Sequence, residues 1–163
     1  MIIAARVQRI WLLCLLCVLS HESGHALGYR IAGGRAGWRL IAGSGPELFR
    51  TARCSFRLIP AGGYFIPEEE SGTKKEKILM LAGGPLVSLL LAVLFGTVCF
   101  GLRRWVPAGT ELYEILFPVS SFLLYFNFFQ FFFTVLPIRY KVICRGSESD
   151  GLQILRTLRK KED

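Results

Sequence analysis

The chain has 163 residues, 52% of them hydrophobic, with a mean hydropathy of +0.44. A soluble domain of this length carries fewer apolar runs, so composition points to a membrane protein. The formal charge is +8, but Lys and Arg sit in loops and tails between apolar spans, where they fit topology control and lipid headgroups rather than nucleic acid.

The first apolar span covers residues 10–31, about the length that crosses a bilayer at 1.5 Å per residue. Arg6 and Arg9 followed by an apolar run resemble a signal peptide. No small-x-small cleavage site follows, however, and helix-compatible sequence continues through Ala26, Leu27 and Tyr29. The span carries His21-Glu22-Ser23-Gly24-His25, an H-E-x-x-H motif. Positions i and i+4 share one face of a helix, so both imidazoles reach one Zn²⁺ and Glu22 serves as general base. Ionisable groups at membrane depth are costly and are usually functional, which makes the motif a narrow signal here. Cys14 and Cys17 lie in the same span. They lack a second ligand pair, and with Cys54, Cys99 and Cys144 they make an odd, scattered set that implies no disulfide framework.

A basic loop, residues 32–76, follows. Within it Cys54-Ser-Phe-Arg-Leu-Ile and Tyr64-Phe-Ile flank Pro60-Ala-Gly62-Gly63, which predicts a short β-hairpin or re-entrant loop. Its edge offers main-chain hydrogen bonds to an extended substrate through Gly62 and Gly63. The second span covers residues 78–102, opened by Lys74, Lys75 and Lys77 and closed by Arg103 and Arg104. Gly83-Gly84-Pro85 predicts a kink or close helix approach. The third span, residues 113–136, is rich in Phe and ends at Pro137; it is expected to face lipid or a substrate helix. Residues 148–161 form a basic amphipathic pattern suited to the membrane surface. The whole reads as one domain, residues 1–163: an all-α membrane protein with three transmembrane helices and a small hairpin between the first two.

With three spans, the loop and the C-terminal tail share one side of the membrane. That side carries nine Lys and Arg from Arg30 to Lys77 and seven from Arg139 to Lys161, against Arg6, Arg9, Arg103 and Arg104 on the other. The positive-inside rule puts the loop and tail in the cytoplasm and the N-terminus outside, so the His pair approaches the cytoplasmic half. A catalytic zinc takes three protein ligands. Ile31 stands where an H-E-x-x-H-x-x-G-x-x-H pattern has its third His, and the chain holds no other His. A carboxylate or Cys must serve. Asp150, Glu148 and Cys144 are candidates, with Glu47 and the Glu68 cluster behind them.

The chain resembles the site-2 protease family of membrane-embedded zinc metalloproteases, over nearly its whole length and in order. His21-Glu22-Ser-Gly-His25-Ala-Leu-Gly28 is similar to the family's first motif, and Pro60-Ala-Gly-Gly-Tyr64 to its Gly-Gly hairpin. Leu81-Ala-Gly-Gly-Pro-Leu86 is similar to its second-span motif, and Leu136-Pro137 with Asp150-Gly151 to its N-x-x-P…D-G motif. The resemblance implies that Asp150 is the third zinc ligand. It also implies polar substrate-positioning or oxyanion groups in the second and third spans, where this chain has Ser88 and Thr134 in place of Asn. Asn127, two turns before Thr134, is a further candidate for the same interior. The interval from Pro137 to Asp150 is longer than in many members.

The expected activity is hydrolysis of peptide bonds within or beside transmembrane segments of membrane-protein substrates, with one zinc per chain. The expected setting is the bilayer, a bacterial cell membrane by the resemblance. Regulation would come from membrane partners, and no nucleic-acid partner is expected. A competing reading is a non-proteolytic relative that binds a membrane partner, such as an immunity protein. Glu22 speaks against it, since a binder needs no base between two ligands. A metal transporter would need further carboxylates or His in the second and third spans.

Overall fold

The computed structural model describes residues 2–68, 73–140 and 147–160. The first helix, α1 (Ile2–Ile31), starts eight residues before the expected span, because no Gly or Pro occurs before Gly24 to stop it. Helix α2 (Lys74–Trp105) begins at a capping box. The Thr73 hydroxyl accepts from the Glu76 N–H, and the Glu76 carboxylate accepts from the Thr73 N–H. Helix α3 (Glu111–Val135) is capped by Thr110 and stops before Pro137, which cannot continue it. Helix α4 (Asp150–Arg159) is capped by Ser149. The first three are each long and apolar enough to cross a membrane. The Phe-rich helix turns Tyr125, Phe128, Phe129, Phe132 and Phe133 outward, as a lipid-facing surface does.

Two long antiparallel strands, β1 (Trp38–Arg50) and β2 (Cys54–Pro67), form the sheet between α1 and α2. It is larger than the expected short hairpin, and its turn lies at residues 51–53 rather than at Gly62-Gly63. The two apolar stretches either side of Pro60–Gly63 do not pair with each other; both pair with β1. Leu40, Ile41 and Ala42 register against Phe65, Tyr64 and Gly63 along one edge, and against Cys54, Ser55 and Phe56 along the other. The strands bend sharply to allow this. Gly43, Gly45 and Gly62 adopt positive φ at the bends, a conformation that costs glycine little.

The sheet packs against α1 rather than projecting into solvent. Leu15 and Val18 bury against Leu40 and Ala42, bordered by Trp11, Trp38, Phe56 and Phe126. Trp11 donates its indole N–H to the Leu58 carbonyl at 2.6 Å, while Gly63 lies beside Glu22. Those contacts are eleven residues apart on α1, so the sheet follows the helix for about 16 Å. Its exposed residues include Leu48, Phe49, Leu58, Ile59 and Ile66, an apolar surface that suits lipid better than water.

Helices α1 and α2 meet through glycines. A Cβ at Gly24 would strike the Gly83 carbonyl group, one at Gly83 would strike the Gly24 carbonyl group, and one at Gly28 would strike the Leu79 carbonyl group. Small residues four apart on α1 let the backbones touch, the usual solution where lipid offers no hydrophobic drive for helix association. Helix α4 closes the same end of the bundle. Gly151 abuts the Val135 carbonyl at the end of α3.

Candidate metal centre

The helical repeat of α1 puts His21, Glu22 and His25 at the α1–α2 contact, and all three are buried, at 3%, 5% and 6% exposure. The imidazoles lie edge to face with centroids 4.9 Å apart. Each ring is held from behind. His25 Nδ1–H donates to the Met80 carbonyl at 2.9 Å, which fixes the tautomer and leaves Nε2 with its lone pair. Pro85 supplies no N–H, so the neighbouring Leu81 carbonyl lacks its usual intrahelical donor. His21 Nδ1 pairs with the Ser88 hydroxyl at 2.9 Å.

Both free Nε2 atoms face one carboxylate oxygen. Asp150 Oδ2 is 3.4 Å from His21 Nε2 and 3.6 Å from His25 Nε2. Donors on a tetrahedral zinc at about 2.0–2.1 Å would be separated by about 3.3 Å, so the three atoms are spaced for one ion. The second helix leaves room at this point. A Cβ on Gly84 would stand 2.8 Å from His21 Nε2 and would strike the His25 ring. A largely buried N, N, O donor set with both imidazoles oriented from behind fits a catalytic zinc site.

Glu22 also has a carboxylate oxygen within 4.8 Å of the two histidines, so two carboxylates compete for the third position. A single Asp150 oxygen faces both Nε2 atoms, whereas Glu22 Oε1 points toward the sheet, 2.7 Å from where a Gly63 Cβ would stand. Glu22 therefore stands between the donor cluster and the β2 edge.

Asp150 owes its position to the residue before it. Ser149 is 2% exposed; its hydroxyl donates to the Leu136 carbonyl and accepts from the Ile138 and Leu152 N–H groups, at 3.1 and 3.2 Å. One side chain thus ties the end of α3 to the start of α4. A Ser directly before a helical pattern is an N-cap signal, and that is the signal by which the sequence marks Ser149.

The other sequence candidates fall elsewhere. Glu148 is taken by Arg139 and Arg156. Glu47 accepts from Ser55 and Arg50, and the Ser55 bond, ahead of Arg50, draws its carboxyl below the usual range. Glu68 packs beside Gly37, and Cys144 lies outside the described residues. The Thr134 hydroxyl bonds the Gln130 and Phe131 carbonyls of its own helix. Asn127 is fully buried, a turn away from the histidines, donating to the Leu123 carbonyl and to Cys17 Sγ. Gly62 lies at the bend beside Gly63.

Such a group, set among membrane-length helices, belongs to the chemistry of membrane metallopeptidases. The family model of Peptidase family M50 matches residues 10–157, which takes in most of α1, all of α2 and α3, the sheet and most of α4. The chain belongs to this family, the site-2 protease family of metallopeptidases. No curated protein matches the chain.

Ser88 provides a direct check on how the donors are held. Ser88→Ala should weaken zinc binding about 10- to 100-fold by freeing the His21 ring. A competition titration against a coloured chelator would register this, and unchanged affinity would mean that the hydroxyl does not orient the ligand.

Proposed function

We propose that the protein is an intramembrane zinc endopeptidase that hydrolyses peptide bonds within or beside transmembrane segments of other membrane proteins. The observation that carries this is the placement of Glu22, with the His21–His25–Asp150 donors on one side and the Gly63 strand edge on the other. His21, His25 and Asp150 would hold the ion. Bound there, zinc supplies Lewis acidity and makes water acidic enough to ionise near neutral pH.

The remaining work falls to the chain's own groups. The substrate helix must first open, because a helical carbonyl is hydrogen-bonded and shielded. The β2 edge at Gly63 binds the opened stretch as an added strand, and the missing side chain there lets the scissile amide approach Glu22. Glu22 takes the proton of the attacking water at its carboxylate and returns it to the departing amide nitrogen. Burial of the site restricts bulk water. The positive-inside count puts this end of the bundle at the cytoplasmic face, with the N-terminus outside, and a bacterial cell membrane is the proposed location. The role is regulated intramembrane proteolysis.

The test is reconstitution of the purified protein in vesicles with tagged single-span substrates whose helices contain Gly, Asn or Ser near the cytoplasmic end. Cleavage should be lost on adding a zinc chelator and return with zinc. A zinc-loaded protein that captures such substrates but leaves them intact would be a binding protein instead.

A further inference from the structure

We propose that α4 is an anionic-lipid sensor: a basic surface on this helix binds acidic phospholipid headgroups and, through Glu148, steadies Asp150. The coupling to Asp150 rests on the zinc site proposed above; the lipid surface does not.

Helix α4 has two tasks in one short element. Its first residue is Asp150, its later turns carry Arg156 and Arg159, and Lys160 is its C-cap, all three cations exposed. One face packs inward on buried Thr157. Leu158, one residue on, is 60% exposed, an apolar side chain on the helix that packs on α2 and on the end of α3. An apolar residue turned outward beside cations is how a helix lies in the headgroup layer.

Among the described residues the charges around it are unbalanced. Glu148 lies between two guanidiniums. Arg139 bonds it through Nε at 3.1 Å and through a terminal nitrogen at 2.8 Å, and Arg156 bonds it from α4. The two arginine side chains are 58% and 52% exposed, against 20% for Glu148. Arg159 and Lys160 follow, exposed, at the far end of the helix, so among the described residues of this stretch four cations stand against Glu148, while Asp150 faces inward to the histidines. The surplus positive charge on a helix in the headgroup layer is complementary to phosphatidylglycerol-type lipids, not to zwitterionic ones of zero net charge. Guanidiniums keep donors to spare while holding Glu148, so a lipid phosphate can bind the same pair from outside.

The link to the metal donors is short. Residues 138–140 pair with 147–149: Tyr140 N–H donates to the Ser147 carbonyl and Ser149 N–H to the Ile138 carbonyl, both at 3.0 Å. Glu148 is in the middle of this bridge and two residues before Asp150. A headgroup that clamps Arg139 and Arg156 therefore restrains the strand that sets Asp150. Anionic lipid should slow loss of zinc without adding a ligand.

The experiment uses the full chain in nanodiscs of phosphatidylcholine alone or with added phosphatidylglycerol. Native mass spectrometry reads retained lipid, and transfer of zinc to a chelator reads the site. Wild type should retain phosphatidylglycerol over phosphatidylcholine, and Arg159→Gln with Lys160→Gln should cut that preference roughly tenfold. Arg103→Gln with Arg104→Gln, at the other end of the bundle, should leave it intact. Zinc should leave wild type several-fold more slowly with phosphatidylglycerol present. Equal retention of the two lipids, or a preference unmoved in the α4 variant, would overturn the lipid surface. A lipid preference with no effect on zinc release would overturn the coupling. Absence of zinc from every preparation would instead sink the metal site and leave the lipid result standing.

Discussion

Glu22→Gln should lower peptide hydrolysis by about 10³-fold or more, with zinc content and thermal stability unchanged. The amide matches the carboxylate in size, so the contact with Gly63 survives and the donors on His21, His25 and Asp150 keep their spacing. What it cannot do is take a proton. A substrate bound to this variant should remain whole, which makes it a trap for natural substrates. The check is a cleavage assay beside a metal determination on the same sample. Activity within a few-fold of wild type would mean that another group is the base. Loss of zinc in the variant would mean that Glu22, not Asp150, is the third ligand.

Gly84→Ala should have the next largest effect, and through packing alone. The added methyl would occupy the space of the two imidazole Nε2 atoms, in a helix contact that Gly24 and Gly83 have already drawn to backbone distance. Neither helix can retreat without breaking that contact. Overpacking of this kind costs about 1–3 kcal/mol, which corresponds to about a 5- to 150-fold loss of zinc affinity. A metal titration with a thermal melt would separate the outcomes. Lost affinity with a folded protein is the expected result; normal affinity would mean that the helices move apart freely and that Gly84 does not shape the site.

The sequence made the first half of the site legible because a helix converts spacing into geometry. His21, Glu22 and His25 needed only the 3.6-residue repeat to be placed together. Asp150 was harder. Spacing left it level with Glu148 and Cys144, and only the family resemblance separated them. The reason is physical: its position depends on Ser149 reaching across to Leu136 and Ile138, a tertiary bond with no periodic signature. Ser88 shows the same limit. Its place one turn after Gly84 was readable, but its direction was not, and its hydroxyl goes to His21. Thr134 and Asn127 shared a helix face on paper, yet one hydroxyl folds back on its own helix and the other side chain packs against Cys17. The span ends were legible to within a few residues, except at the start of α1, where the helix runs past the apolar stretch. The sheet was the least readable element. Residues 38–50 look like basic loop, and pairing both halves of β2 with one short stretch of β1 is set by long-range packing on α1.

In the proposed site Asp150 joins the two histidines as a ligand to one catalytic ion. Metal content of the detergent-purified protein, wild type beside Asp150→Ala, tests it most directly. Close to one zinc per wild-type chain is expected, with little or none in the variant after brief exposure to a weak chelator. A wild type that binds no zinc, or an Asp150→Ala variant that holds zinc as firmly as wild type, would contradict it.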